Sequence, residues 1–259
     1  FDLTYPNTLQ LTETTVPDEI ANLGALSLTV DGHNYSATIG DNSIVNWGSP
    51  FDKITSSDAP EEARTNIEQI FSNDFAFAAL KTDGSVVTWG HDGWGGNSER
   101  VADYLKENVV HIENTAFSFA AIKQDGTVVT WGDSLDFIDK TYFTNSLPNY
   151  GGFYVNNEAS SPIISVTGST GAFVALRADS SISVWGATGY GGNIDDDVLK
   201  SLNGKVVSIV NSNYAFSVLT NDGRVYSWGK EFAEDAKSVD HNLNYDQVSD
   251  GVIKIVGNS

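Results

Sequence analysis

The chain has 259 residues and a mass of 27.9 kDa, with 40% hydrophobic, 11% aromatic and 19% charged residues, a profile that supports a real core and excludes a disordered polypeptide. Cysteine is absent and the 4 histidines (33, 91, 111, 241) are scattered, which excludes disulfides, thiolate metal sites and a cysteine nucleophile and leaves little for zinc. With 14 Lys+Arg against 34 Asp+Glu, a net charge of -20 and no basic cluster, the chain repels a phosphate backbone, so nucleic acid is not an expected partner.

Methionine is also absent, so the sequence reads as a processed product or a piece of a longer protein whose export signal has been removed. No run approaches the roughly 18 uninterrupted apolar residues of a membrane span, and membrane insertion is not expected.

In chain order, residues 2–5 and 8–12 read as two strands around a Pro6-Asn7 turn, and 25–28 as a short buried strand. A hairpin turning at Asp41-Asn42 ends at Trp47-Gly48. Ala59-Pro60-Glu61-Glu62 opens a helical turn, followed by a strand at 67–70 and a hairpin over 75–89 that turns at Asp83-Gly84. The Asp-Gly pair predicts a type I′ turn, with both central residues at positive φ. After the loop Gly93-Trp94-Gly95-Gly96, residues 99–105 carry helical spacing, and the strand 109–112 and a hairpin over 117–131 repeat the unit. The connector 133–162 is about 12 residues longer than the others and holds Phe137, Tyr142, Phe143, Tyr150, Phe153 and Tyr154. A fourth strand of the same kind, 163–166, leads to a hairpin with a looser Asp179-Ser180 turn. The loop Gly189-Tyr190-Gly191-Gly192, a helix over 195–202, the strand 206–209 and a hairpin at Asp222-Gly223 follow, and 252–255 repeats the short strand once more.

Trp-Gly recurs at 47, 89, 131, 185 and 228, at spacings of 42, 42, 54 and 43, so a unit of about 43 residues repeats through the chain. Short strands at that period form radial sheets around an axis, because one small sheet cannot bury both faces alone. The expectation is an all-β fold, a single β-propeller over residues 1–259 with six blades, the ring closed by 252–256 pairing with strands from 2–12; five or seven blades are the alternatives.

The run from Leu80 to Gly90 with Gly93-Trp94-Gly95-Gly96, echoed by Val184-Trp185-Gly186 with Gly189-Tyr190-Gly191-Gly192, resembles repeats of the RCC1-like propeller superfamily over nearly the whole chain. The resemblance implies a propeller, typically of seven blades. Its members include guanine-nucleotide exchange factors, a secreted inhibitor of β-lactamases and repeat modules of large bacterial surface proteins, and this sequence is most similar to the last group.

The five register tryptophans read as blade-packing residues. Trp94 and Tyr190 lie off that register among glycines, where a ring is either an anchor or a platform for a ligand. Asp195, Asp196 and Asp197 offer oxygens for calcium but lack the spacing of a calcium loop, and a helix start explains them as well. Polar loops after the short strands, 31–34, 72–74, 113–115, 168–170, 211–213 and 257–259, would ring one mouth of a central channel. His111 reads as a structural histidine in a buried strand, and the sequence places no catalytic partner beside it.

These features favour a non-enzymatic binding or adhesion module of an exported or cell-surface protein, with no cofactor and a protein or glycan partner. The ligand-binding residues would be Trp94, Tyr190 and the aromatics Phe137, Tyr142, Phe143, Tyr150, Phe153 and Tyr154 of the long connector. A structural spacer domain and a polysaccharide-active enzyme are the alternatives.

Overall fold

The computed structural model describes residues 27–31, 34–38, 44–48, 59–132, 154–156, 161–229 and 251–257. Its strands are β1 (Ser27–Asp31), β2 (Asn34–Thr38), β3 (Ile44–Gly48), β4 (Ile67–Ser72), β5 (Ala76–Lys81), β6 (Val86–Gly90), β7 (Val109–Asn114), β8 (Ser118–Lys123) and β9 (Val128–Gly132). They continue with β10 (Tyr154–Asn156), β11 (Ile163–Gly168), β12 (Ala172–Arg177), β13 (Ile182–Gly186), β14 (Val206–Asn211), β15 (Ala215–Thr220) and β16 (Val225–Gly229). One helix, α1 (Asp196–Leu202), precedes β14. The strands form five antiparallel sheets in chain order: β1-β2-β3, β4-β5-β6, β7-β8-β9-β10, β11-β12-β13 and β14-β15-β16. The first strand of each sheet lies beside the first strand of the next, from β1 through β4, β7 and β11 to β14. The chain is therefore a β-propeller, and we number these sheets blades one to five.

Three expectations change. Residues 252–256 form no strand: Ile253 is 94% exposed, and the described residues offer this segment no partner strand. Only its first amide, on Val252, takes up the expected place, donating to the Gly223 carbonyl at 3.3 Å. The segment 2–12 lies outside the described residues. Residues 99–104 make a 3₁₀ turn and not an α-helix, whereas Asp195 caps α1 through its carboxylate, which accepts from the amides of Asp197 and Val198. The hairpin turns are not type I′: Gly84, Gly126 and Gly223 have positive φ and the aspartates before them do not. The Gly84 amide donates to the Lys81 carbonyl at 2.8 Å and the Lys81 amide to the Ser85 carbonyl at 2.9 Å. This is a three-residue loop, a type I turn followed by one left-handed residue.

The inner strands explain the repeated pattern of two apolar residues, a polar one and a further apolar one. Each of β4, β7, β11 and β14 carries a register shift across its first three residues, such as Val109/His111 in β7. The extra residue breaks the period of two, so Val109 and Ile112 are buried while Val110 is 55% exposed. His111, expected in a buried strand, is exposed for the same reason; its ring meets the edge of Phe71 at 5.4 Å and lies 3.7 Å from the Glu113 carboxylate.

Beyond the bulge, alternation gives each blade two apolar faces. In blade two, Phe77 and Ala79 pack with Trp89 on one side, while Ala76, Ala78 and Leu80 face Phe119 and Trp131 of blade three on the other. Each aromatic pair is stacked across the hairpin, Phe77 on Trp89 at 5.3 Å and Phe119 on Trp131 at 5.4 Å. Small residues on one blade thus receive large rings from the next, the complementarity that close packing needs. The register tryptophans Trp89, Trp131, Trp185 and Trp228 are all buried, as blade-packing residues should be.

The left-handed turn residue joins blade to blade. The carbonyls of Gly84, Gly126 and Ser180 accept from the first inner-strand amides of the following blades, Val109, Ile163 and Val206, at 3.0, 3.3 and 3.0 Å. Ser180 does this at φ +64, a conformation glycine enters with less strain. We expect Ser180→Gly to stabilise the protein by up to about 1 kcal/mol, the left-handed penalty less the added chain entropy of glycine. Thermal unfolding should show a rise of about 1–3 °C in midpoint; a fall would show that the serine side chain contributes more than the strain removes.

The turn aspartates stay ionised. The Ser85 hydroxyl holds Asp83 below the ordinary carboxylate value of 3.8, the Thr127 amide does so for Asp125, and the Ser181 and Thr220 hydroxyls for Asp179 and Asp222. A depressed folded-state pKa contributes stability that is full above the unfolded value and lost as pH falls through the folded one. Thermal midpoints should therefore hold from neutral pH to about 5 and fall below about 4. Asp83→Asn with Asp125→Asn keeps the oxygen acceptors and should make that acid fall shallower; an unchanged slope would remove these turns from the acid response.

Candidate functional site on the loop face

Because strands alternate in direction, each blade puts its inner-to-middle loop and the exit from its third strand at one end, the loop face. The hairpin turns lie at the opposite end, the turn face. Hydrogen bonds from the His91 amide to the Phe75 carbonyl and from the Ala187 amide to the Gly171 carbonyl, both 2.9 Å, tie the two loop-face segments of blades two and four together.

Asn73 organises the first of these. Fully buried, it accepts from the Phe75 and Ala76 amides at 2.9 and 2.8 Å and donates to the Trp94 carbonyl at 2.8 Å. Ser169 holds the equivalent place in blade four, where its hydroxyl donates to the Tyr190 carbonyl at 2.7 Å. Trp94 is left half-buried and packs against three rings: Phe75 at 3.9 Å, His91 at 4.3 Å and Phe117 at 5.8 Å. Phe75 and Phe117 stack on each other at 5.8 Å, so blades two and three share one aromatic cluster. Tyr190, also half-buried, stacks on Tyr214 at 5.3 Å. Gly171 stands where blade two has Phe75, and a Cβ there would lie 2.8 Å from the Tyr190 ring.

The residue after Trp94 is built into the next blade. The Gly95 carbonyl accepts from the buried Trp131 indole at 3.1 Å, and the Gly191 carbonyl accepts from Trp228 at 2.9 Å. A Cβ on Gly95 would come within 2.6 Å of Phe119, so only glycine lets the loop approach this closely. Inward, the loops form a belt: the Ala116 amide donates to the Thr170 carbonyl at 3.0 Å and the Thr170 amide to the Asn213 carbonyl at 3.1 Å. Asn211 adds a side-chain bond to the Gly168 carbonyl at 2.8 Å. Three of the polar loops expected at the channel mouth, after β7, β11 and β14, thus hydrogen-bond to one another.

No family model and no curated protein matches the sequence. Solved structures do match. Prp20p from Saccharomyces cerevisiae superposes with a TM-score of 0.52 and 15% identity, over 79% of this chain and 58% of that one. Yeast RCC1 (Prp20) in complex with Kap60 gives 0.54 and 15%, over 84% and 58%. Human WBSCR16 gives 0.51 and 17%, over 80% and 62%. The fold is that of an RCC1-like propeller. The chain spans about three fifths of the length of these propellers.

On this RCC1-like scaffold the expected site residues separate. Trp94 and Tyr190 lie on the loop face in equivalent loops. Phe137, Tyr142, Phe143, Tyr150 and Phe153 lie outside the described residues, and Tyr154 opens β10, the fourth strand of blade three. That part of the long connector extends a sheet. The connector leaves β9 beside Phe117, for a Cβ on Gly132 would lie 2.7 Å from the Phe117 carbonyl. Asp195 serves as helix cap, Asp197 pairs with Lys200 at 3.3 Å, and among the described residues no three acidic or histidine side chains converge as a metal would need. A shallow hollow of about 390 Å³ beside α1, lined by Ser181, Ile182, Leu199, Lys200 and Asn203, is built from none of the aromatic-cluster residues.

Sequence reasoning missed Phe75, Phe117, His91 and Tyr214. Phe75 and Phe117 are absorbed into apolar runs that read as strand, although β5 begins at Ala76 and β8 at Ser118. The available signal was their fixed offset before the middle strand, at 75, 117 and 214.

Trp94 and Trp131 should separate in urea unfolding. Trp131→Ala empties a buried site and should cost about 3–5 kcal/mol, whereas Trp94→Ala should cost less than half of that. Equal losses would make Trp94 a core residue.

Proposed function

We propose that this chain is a non-enzymatic binding module that takes a protein partner on its loop face, as part of an exported or cell-surface protein. The partly exposed aromatic cluster Phe75–His91–Trp94–Phe117 carries this reading. Four rings from two blades are held in fixed positions by buried hydrogen bonds, and clustered aromatics on a rigid frame are the usual anchors of protein recognition. The aromatic-rich connector leaves the frame beside Phe117, on the same face. Among propellers of this fold, Prp20p has been described with binding to Gsp1p and histones, and yeast RCC1 has been solved bound to Kap60. A glycan is the second reading, favoured by the partly exposed Trp94 ring, a surface on which a sugar can stack.

The test places a photo-crosslinking residue at His91, in the cluster, and at Glu107, on the turn face, and exposes each protein to the source organism's surface and secreted proteins. A discrete adduct from position 91 and none from position 107 is expected. Trp94→Ala with Phe117→Ala should abolish that adduct in a protein that still unfolds cooperatively. Adducts of equal yield from both positions would overturn the assignment of the face; Trp94-dependent binding to a glycan array without a protein adduct would move the reading to carbohydrate.

A further inference from the structure

Among the described residues, the cations are distributed unequally between the two ends of the propeller. On the turn face every described hairpin carries a cation two residues from its aspartate in sequence, Lys81 near Asp83, Lys123 near Asp125, Arg177 near Asp179 and Arg224 near Asp222, the last an ion pair at 3.8 Å. The remaining described lysines lie in connectors that lead back to that end, or beside it: Lys106, Lys200, Lys205 and Lys254. The loop face differs. Residues 72–76, 90–98, 113–118, 168–172, 186–192 and 211–215 contain Asp74, Asp92 and Glu113 and not one lysine or arginine. Arg100, the nearest in sequence, belongs to the 3₁₀ connector beyond.

Two of those carboxylates adjoin the aromatic cluster in the chain. Asp74 precedes Phe75, and the exposed Asp92 lies between His91 and Trp94 in the same turn. Aromatic faces attract cations through their quadrupole, and a guanidinium stacks on an indole while its edges remain free to bond carboxylates. The whole chain, at -20, steers a cation toward itself from a distance.

We propose that the loop-face cluster is a receptor for an arginine side chain in a basic peptide segment of the partner, with the guanidinium on the Trp94–Phe75–Phe117 surface and Asp74 and Asp92 beside it. This rests on the protein-binding reading above and specifies its chemistry.

The probe is a fluorescent peptide of about a dozen residues alternating Gly and Arg, compared with the same peptide carrying neutral citrulline, and titrated against the full chain by fluorescence polarisation. The arginine peptide should bind at least about tenfold more tightly than the citrulline peptide, and Trp94→Ala should cost about tenfold. Asp74→Asn with Asp92→Asn should weaken binding several-fold and flatten its dependence on salt. Glu68→Gln with Glu107→Gln removes the same charge from the turn face and should leave the affinity within about twofold. The proposal is overturned if the arginine peptide does not bind, if citrulline binds equally well, if Trp94→Ala has no effect, or if the Glu68 and Glu107 pair matters as much as the Asp74 and Asp92 pair. Should it fail while the adduct at position 91 still forms, the face recognises a partner of other chemistry; if that adduct is absent too, the protein-binding reading fails with it.

Discussion

A single hydrogen bond sets how these blades can be arrayed: the first amide of an inner strand donating to the carbonyl of the left-handed residue in the preceding hairpin turn. Such a bond contributes only about 1 kcal/mol, yet it recurs at equivalent places around the ring and admits little variation in geometry. At Gly126 a Cβ would lie 2.3 Å from Pro162, so the turn and the next blade touch with no room between them. Fixing the described turns in this way fixes the opposite ends of the strands too, and the loop-face bonds that join blades three, four and five through Ala116, Thr170 and Asn213 form because those ends are level.

The loop face shows how one residue type is assigned two tasks by its surroundings. Trp131 and Trp94 have the same side chain. The first follows a strand residue and turns into a blade interface, where its indole N–H meets the Gly95 carbonyl. The second precedes that very glycine, and its ring remains partly in solvent. The backbone carbonyl anchored inside blade three is one residue away from the ring offered outside, so little entropy remains to be lost when a partner binds there.

The sequence made the repeats legible because two signals agreed: tryptophan at a constant period and turn residues at a constant distance before it. Bulges were harder to read. The pattern Val109-Val110-His111-Ile112 has buried residues three apart, which breaks the period of two of a strand; it reads as a short buried strand and encodes an inserted residue. The aspartate-glycine pair suits two hairpin loops, a two-residue type I′ turn and the three-residue loop found here, which differ in the φ of the aspartate and in loop length. At the site, Trp94 and Tyr190 stood out by falling off the repeat, whereas Phe75 and Phe117 were hidden by fitting an apolar strand too well. Their meeting with Trp94 is a tertiary contact between neighbouring blades, and no local pattern specifies it.

Among the described residues, loops that lend a carbonyl to the following blade occur after blades two and four. Between blades two and three, and again between four and five, a continuous core is reinforced by an indole bond and a connector that supplies Val101 and Leu105 in one case and Ile194 and Leu202 in the other. Each of these joints therefore depends on a residue outside the sheets: removing either loop would leave the indole of Trp131 or Trp228 buried without its acceptor.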